Sequence, residues 1–272
     1  MNRLSYLRFG LVPLLLSAAA APAQDFVFSS GNFVPDFTAP EPLQAGDTLQ
    51  INAGGNKIFS GVTFTNLGQV DWNADSLFLQ SDARLNNGGL WRIGGDFTLI
   101  NNGGTLPVFT NSGTLRKTAG AGAATIGSIG FVNSGIIDVL SGTLDFSGGN
   151  ATFNAGSSFT GSGASRILSN ATFNGAFTSS NLVLAGGTAT GNAALLSGAA
   201  SFTGGTLSGS WSTAAGQTLT ARSGGSKIMS GLAFTNLGNF AWDTTDALFM
   251  QSSSSFDNQG SFHASENMTI VN

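Results

Sequence analysis

One five-residue pattern returns along this chain at a nearly constant step and constrains its fold more than any other feature. The pattern is Phe-x-Asn-x-Gly, with a large apolar residue two positions after the glycine. Its copies begin at Phe64, Leu85, Phe109, Phe131, Phe234 and Phe256, where Leu85 replaces the usual Phe. Successive starts are 21, 24 and 22 residues apart in the first group and 22 apart in the second. Such a step is typical of repeat proteins whose units stack on one another.

A second, longer repeat contains the short one. Residues 57–68 read KIFSGVTFTNLG and residues 227–238 read KIMSGLAFTNLG, with nine of twelve positions identical. The separation of 170 residues corresponds to about eight short units. We therefore divide the chain into a signal peptide (1–23), an N-terminal cap or linker (24–41), a first module (42–211) and the start of a second module (212–272).

The pattern within each unit predicts β-strands. Apolar residues alternate with small or polar ones, as in Leu77-Phe78-Leu79 and Phe97-Thr98-Leu99, and no helical periodicity is sustained after the leader. After Pro42 only Pro107 interrupts the supply of backbone donors. Propeller blades need about 40 residues, and a sandwich does not require one position to recur every 22. The sequence predicts an all-β, right-handed parallel β-helix (β-solenoid) with about 20 to 24 residues per coil and about ten coils.

The recurring residues have separate expected roles in this ladder of coils. The Phe should point inward and stack on the next coil, about 4.8 Å away. The Asn should form a side-chain ladder at a corner, and the Gly should permit a positive φ there. The predicted ladder consists of Phe64, Asn66, Gly68, Asn87, Gly89, Phe109, Asn111, Gly113, Phe131, Asn133, Gly135, Phe234, Asn236, Gly238, Phe256, Asn258 and Gly260.

The first 23 residues have the features of a secretory signal peptide. Arg3 and Arg8 precede an apolar stretch from about Leu11, and Ala21-Pro22-Ala23 supplies a small-residue cleavage site. The chain has no cysteine, and without the leader its formal charge is 8 − 14 = −6. This charge disfavours nucleic acid and anionic membranes as partners, and no later segment is long enough to insert into a bilayer. We expect a secreted or cell-surface protein.

Two stretches resemble the repeats of a known class of proteins. FVNSGIIDVLSGTLDFSGG from Phe131 and FTNSGTLRKTAGAGAATIG from Phe109 are similar to repeats of large bacterial secreted β-strand-repeat proteins of the adhesin and autotransporter-passenger type. The resemblance covers most of residues 45–272. It implies a parallel β-helix at the cell surface or in the extracellular matrix, non-catalytic and adhesive or structural, with host or environmental glycans or proteins as partners. Because the chain stops partway through the second module, we expect a larger polypeptide beyond residue 272.

Few residues could carry enzymatic chemistry. His263 is the only histidine, and it occupies an outward position that other units fill with Asp or Arg, so we interpret it as a surface residue. No cofactor or metal site is predicted. The best enzyme hypothesis is an outward row of Asp71, Arg92, Arg116 and Asp138, similar to those of β-helix polysaccharide lyases and hydrolases. A surface charge ladder explains the same row.

Two further patterns leave alternatives open. Asp71-x-x-x-Asp75 and Asp243-x-x-Asp246 each offer paired carboxylates for calcium, although turn formation explains them as well. Trp72 and Trp242 hold equivalent positions in the two modules. They are expected in the core, but an exposed pair would suit a non-catalytic carbohydrate-binding module.

Overall fold

The protein forms a β-solenoid. A computed structural model describes residues 22–33 and 41–272. These residues contain no helix, 61% of them are in strands, and the strands build about 11 turns of parallel stacked coils. The predicted fold class is thus confirmed. The predicted signal peptide (residues 1–23) lies, except for its last two residues, outside the described residues.

Most strands are short, and the longest ones lie in the second half of the chain. The first ten are β1 (Asp25–Phe28), β2 (Gly31–Asn32), β3 (Thr48–Ile51), β4 (Lys57–Ser60), β5 (Thr63–Asn66), β6 (Gln69–Trp72), β7 (Leu77–Gln80), β8 (Arg84–Asn87), β9 (Leu90–Ile93) and β10 (Thr98–Asn101). Then follow β11 (Val108–Asn111), β12 (Thr114–Lys117), β13 (Ala123–Gly127), β14 (Gly130–Asn133), β15 (Ile136–Val139), β16 (Thr143–Ser147), β17 (Ala151–Phe153), β18 (Ser158–Thr160) and β19 (Ala164–Ile167). The last ten are β20 (Ala171–Leu184), β21 (Thr188–Phe202), β22 (Gly205–Thr213), β23 (Thr218–Arg222), β24 (Lys227–Asn236), β25 (Asn239–Asp243), β26 (Ala247–Gln251), β27 (Ser255–Asn258), β28 (Ser261–Ala264) and β29 (Thr269–Val271).

Each coil has three faces, and strands of neighbouring coils pair in parallel on every face. Face 1 starts with β1, β3, β6, β9, β12, β15 and β18. Face 2 starts with β2, β4, β7, β10, β13, β16 and β19. Face 3 starts with β5, β8, β11, β14 and β17. The long strand β20 wraps around the coil, because its parts pair in turn with β17, β18 and β19.

The alternation read from the sequence decides which side chains enter the coil. In β5, Phe64 and Asn66 are buried while Thr63 is exposed, and most other strands show the same alternation. One continuous core of Phe, Leu, Ile, Val, Trp and Ala runs through the stack. Burying a large apolar side chain contributes about 1.5–3 kcal/mol, so repeated inward residues can stabilise the stack without disulfides.

The aromatic rings form a zigzag across the core, where a single column of stacked Phe rings was predicted. Phe109 and Phe131 are in register and meet edge to face at 5.7 Å. Phe64 has Leu85 above it, and its ring instead contacts Trp91 at 6.4 Å. Flat stacking of the predicted kind occurs between Phe234 and Phe256, whose centroids are 5.1 Å apart. Edge-to-face contacts are favoured by the ring quadrupole, which explains why rings from different faces interlock.

The coils are shortest in the middle of the chain. Phe64, Leu85, Phe109 and Phe131 follow the predicted steps of 21, 24 and 22 residues in register. Ala171, Ala189 and Leu207 are in-register partners at steps of only 18 residues. Phe153 also departs from the expected step, since it pairs opposite Asn133 and Ala151 takes the position opposite Phe131. The repeated NATFN segments do align, with Phe153 opposite Phe173.

These short coils rotate the second module relative to the first. Nine strands follow one another on face 2 between β4 and β23, and two of them are the C-terminal ends of β20 and β21. The steps between these nine strands are eight coils. The counterpart of β4 is the first half of β24, and it follows on face 3, where it pairs with β22 and β26. The 170-residue repeat thus spans eight coils and one extra face, about a third of a turn.

The described part of the segment 24–41 adds strands to the stack. Residues 25–28 pair with β3, and residues 31–32 pair with β4. Phe28 and Phe33 are buried against the first complete coil. This segment therefore continues the coil architecture at the N-terminal end.

Candidate functional site

The inward asparagines of the first module form a ladder at one corner of the coil. Asn66 Nδ2 donates to Asn87 Oδ1 at 2.7 Å, Asn87 to Asn111 at 2.6 Å, and Asn111 to Asn133 at 2.6 Å. Asn133 donates to Ser157 Oγ, where the ladder ends. All four asparagines are at most 1% exposed. Each of these side-chain hydrogen bonds joins two coils, as in the side-chain ladders of other stacked parallel sheets.

The second module has a shorter asparagine ladder at the corner that corresponds to it in the repeat. Asn236 Nδ2 donates to Asn258 Oδ1 at 2.7 Å and to the Ser261 carbonyl at 2.8 Å. Thr213 occupies the position below Asn236. Because of the rotation, this ladder lies between faces 1 and 2, whereas the first lies between faces 3 and 1.

The corner glycines are required for a reason other than the predicted one. None of the six has a positive φ, so that prediction is wrong. They are needed because the backbones of neighbouring coils approach closely. A Cβ on Gly113 would lie 2.2 Å from the Gly89 carbonyl oxygen, and one on Gly135 would lie 2.1 Å from the Gly113 oxygen. Gly68, Gly89, Gly238 and Gly260 are equally restricted, with oxygens at 2.1–2.4 Å.

Hydrogen bonds explain this close approach. The carbonyl oxygen of Asn66 accepts from both Gly88 N–H and Gly89 N–H in the next coil, at 2.8 and 3.0 Å. The backbone carbonyl oxygen of Asn87 likewise accepts from the N–H groups of Ser112 and Gly113. A single carbonyl thus satisfies two donors at the turn, which draws one coil down onto the other.

Three buried lysines stabilise other corners, and the sequence analysis did not identify them. Lys57, Lys117 and Lys227 are completely buried. Lys117 sits in register between the apolar residues Ile93 and Val139, so its stem packs in the core while its ammonium reaches the corner. Its Nζ donates to the carbonyls of residues 119, 120 and 141 at 2.8–3.0 Å. The signal was present in the repeated phrase, which begins with Lys in both modules.

Each buried ammonium is paired with an aspartate of an adjacent coil. The distances from Nζ to the carboxylate are 2.9 Å for Lys57–Asp75, 2.8 Å for Lys117–Asp96 and 2.7 Å for Lys227–Asp246. The hydrogen bond from the ammonium is the main cause that lowers the pKa of each aspartate below its ordinary value. Each of the two candidate calcium pairs, Asp71 with Asp75 and Asp243 with Asp246, thus has one carboxylate that is engaged by a buried lysine.

The outward row is assembled as its spacing indicated. Asp71, Arg92, Arg116 and Asp138 are in-register partners on four successive strands of face 1. Arg92 Nη1 lies 3.3 Å from Asp71 Oδ1, and Arg116 Nε donates to Asp138 Oδ2 at 2.7 Å. The arginine side chains are 43% and 40% exposed, whereas the aspartates are largely covered. The row therefore presents two guanidinium groups to solvent.

The remaining candidates lie in ordinary environments. Trp72 and Trp242 are buried in the core as expected, at 1% and 0% exposure, so the alternative of an exposed pair that stacks on a sugar is wrong. His263 is exposed on face 2, opposite Ala241. No group of three or more His, Cys, Asp or Glu side chains suited to a metal ion occurs in the described part of the chain.

A shallow open groove of about 640 Å³ lies on and beside face 2. Small residues such as Gly163, Ala199 and Ser201 line it, with Asn181 and Arg222 at its polar positions. It does not include the outward row, where a polysaccharide-cleaving enzyme was expected to have its groove.

Two general findings complete the description of the site. Within residues 22–33 and 41–272 no helix has the length and hydropathy needed to cross a bilayer. Comparison with known proteins finds no matching family model, no similar curated protein and no similar solved structure.

Proposed function

We propose that this chain is the rod-like body of an exported, non-catalytic protein with a structural or adhesive role at the bacterial cell surface or in the extracellular matrix. The observation that carries the proposal is the continuous stack of about 11 turns. At about 4.8 Å per coil this makes a rod roughly 50 Å long with flat, repetitive sides. Such a shape suits spacing and attachment better than the enclosure of a small substrate.

The use of charged residues supports a structural role. Of the seven ion pairs among the described residues, six join neighbouring coils. Asp145, for example, is 5% exposed and bound by Arg166 of the next coil. Carboxylates engaged in this way hold neighbouring coils together, which is a structural use of charge.

The export part of the proposal rests on the leader-like residues 1–23 and on the lack of cysteine. The test is to express the full chain, and a variant lacking residues 2–23, in a Gram-negative bacterium and to fractionate the cells. Export predicts that only the full chain leaves the cytoplasm and that its N-terminus begins at Gln24. Retention of an uncut full chain would contradict the proposal.

The adhesive and non-catalytic parts need a separate test. Beads coated with the purified protein should attach to cells or polysaccharide surfaces more than beads coated with heat-unfolded protein. The same preparation should release no unsaturated or reducing sugar from a panel of polysaccharides. Sugar release that is abolished by Asp138→Asn would instead favour the second candidate, a β-helix lyase or hydrolase, which the exposed row on face 1 keeps under consideration.

A further inference from the structure

We infer that Arg92 and Arg116 form a binding site for the anionic group of a sugar acid within an acidic polysaccharide. The proposal deepens the adhesive function above and rests on it for its biological role. The binding itself can be measured on the purified chain, whatever its location.

The order of charges along face 1 is the first observation. Four successive strands present Asp71, Arg92, Arg116 and Asp138, so the signs run negative, positive, positive, negative. A row that served stability alone would alternate, because like charges directly opposite each other in a sheet are unfavourable. The two arginines are instead direct neighbours in the parallel register.

The unused donors are the second observation. Arg116 bonds Asp138 through Nε, and the shortest contact of Arg92 with Asp71 is made by Nη1. In the described part of the chain, both Nη groups of Arg116, as well as Nε and Nη2 of Arg92, have no protein acceptor. Each arginine is paired with the aspartate on the side away from the other arginine. The free N–H groups belong to adjacent strands that are about 4.8 Å apart. Planar guanidinium groups so placed match the oxygens of one carboxylate or sulfate.

The flanking aspartates indicate the rest of the ligand. Asp71 accepts from Gln69 and Asp138 accepts from Thr160, and an ionised carboxylate has about four acceptor sites, so each can take another donor. Along the row, a ligand thus meets a hydrogen-bond acceptor (Asp71), two donors (Arg92 and Arg116) and a second acceptor (Asp138). A sugar ring that carries one anionic group among hydroxyls complements this order. A nucleic-acid backbone complements it poorly, since its successive phosphates would face the aspartates.

The surroundings favour a polymer over a small molecule. The neighbouring outward residues Leu90 and Thr114 on the same strands are partly exposed, and the groove of face 2 lies elsewhere. The chain carries a net charge of −4, so indiscriminate attraction of polyanions is not expected. Binding must then depend on the local arginine pair.

The test compares two double variants that remove equal charge. Arg92→Gln/Arg116→Gln removes the site, and Arg84→Gln/Arg222→Gln removes two arginines outside it, of which Arg84 is half-exposed and Arg222 is exposed. Binding of the full chain to polygalacturonate, dextran sulfate, neutral dextran and single-stranded DNA is measured by calorimetry or affinity electrophoresis. Thermal unfolding of each variant checks that the coil is intact.

We expect the wild-type chain to bind polygalacturonate or dextran sulfate and not dextran. The arginine-pair variant should bind at least about tenfold more weakly, because charge-assisted hydrogen bonds are lost, and the control variant should bind as the wild type does. Whichever of the two polymers binds identifies the anionic group as carboxylate or sulfate. Absence of binding to both, equal weakening in the two variants, or equally tight binding of DNA would overturn the inference. These outcomes leave the export and sugar-release tests unaffected.

Discussion

The two modules use the same residues inside the coil and different residues outside it. Lys57 and Lys227 are both buried and bonded to an aspartate of the next coil, and Asn66 and Asn236 both begin an asparagine ladder. Outside, the first module has Asp71 and Arg92 where the second has Ala241 and His263. The repeat therefore preserves how coils join and leaves the surface free to differ.

The rotation adds to this difference. Because the second module begins one face later, equivalent strands point in directions about a third of a turn apart. An outward side chain repeated in both modules would face another side of the rod. Any surface function of the arginine pair is thus confined to face 1 of the first module, while the internal contacts work equally well on every face.

The largest expected effect concerns the corner glycines. Gly113→Ala should destabilise the protein by about 3 kcal/mol, since its Cβ would meet a backbone oxygen at 2.2 Å. Gly238→Ala in the second module should cost a similar amount, because oxygens lie at 2.3 and 2.4 Å. Gly225→Ala is the matched control, with its nearest atom at 4.0 Å. Urea unfolding measures all three, and tolerance of Gly238→Ala alone would show that the modules do not share their interior contacts.

The second-largest expected loss of stability differs between the long asparagine ladder and the short one. Asn111→Ala removes both the acceptor of Asn87 and the donor to Asn133, and should cost about 2–3 kcal/mol. Asn236→Ala breaks a ladder with a partner on one side only, so about 1 kcal/mol is expected. Equal losses in urea unfolding would mean that the ladder does not act cooperatively across coils.

These glycines and asparagines also show how far the sequence can be interpreted. The 22-residue step and the period-two alternation predicted the coil, the inward Phe64 and Asn66 and the in-register row from Asp71 to Asp138, because each follows from local geometry. The reason for the glycines was missed, since a close approach between coils 20 or more residues apart leaves no local mark. The rotation was missed because it depends on the 18-residue coils, whose pattern is weak.

The lysines were missed for a related reason. A lysine at an inward position appears as a break in the apolar alternation, and only the structure shows that its ammonium reaches the corner carbonyls. The repetition of Lys57 at Lys227 is the one sequence feature that points to these lysines. The periodic pattern itself consists of Phe, Asn and Gly and does not include them.

The third effect is a loss of stability in acid, shared by both modules. Hydrogen bonds from Lys57, Lys117 and Lys227 lower the pKa of their aspartates in the folded state, so unfolding raises those pKa values towards 3.8. The stabilisation is complete above pH 4 and is lost as pH falls through the folded-state values, where the buried ammonium groups lose their counter-ions. Urea midpoints measured from pH 7 to pH 2.5 should remain level and then fall below about pH 4. Asp96→Asn should lower the midpoint at pH 7 and make the acid decline shallower, and an unchanged decline would contradict this assignment.

The fourth effect distinguishes two equivalent tryptophans. Trp72 Nε1 donates to the Ala74 and Asp75 carbonyls at 3.1 and 2.9 Å, whereas Trp242 Nε1 is buried and has no acceptor among the described residues. Replacement by Phe creates a similar cavity at both positions but loses hydrogen bonds only at Trp72. Trp72→Phe should therefore cost about 1–2 kcal/mol more than Trp242→Phe in urea unfolding. The reverse order would show that Trp242 gains a partner in solution.

The smallest effect concerns the outward row that only the first module has. Arg92 and Arg116 are 43% and 40% exposed, so each ion pair should contribute no more than about 1 kcal/mol, and Arg92→Gln should barely shift the urea midpoint. His263→Gln in the second module gives the corresponding control on a surface without the row. A loss at Arg92 as large as that at Asn111 would mean that the row holds the coils together, and weakened polysaccharide binding would then reflect a damaged fold. A small loss of stability would mean that the fold does not require the arginine pair. Its arrangement on the exposed surface would then be explained by the binding of a ligand.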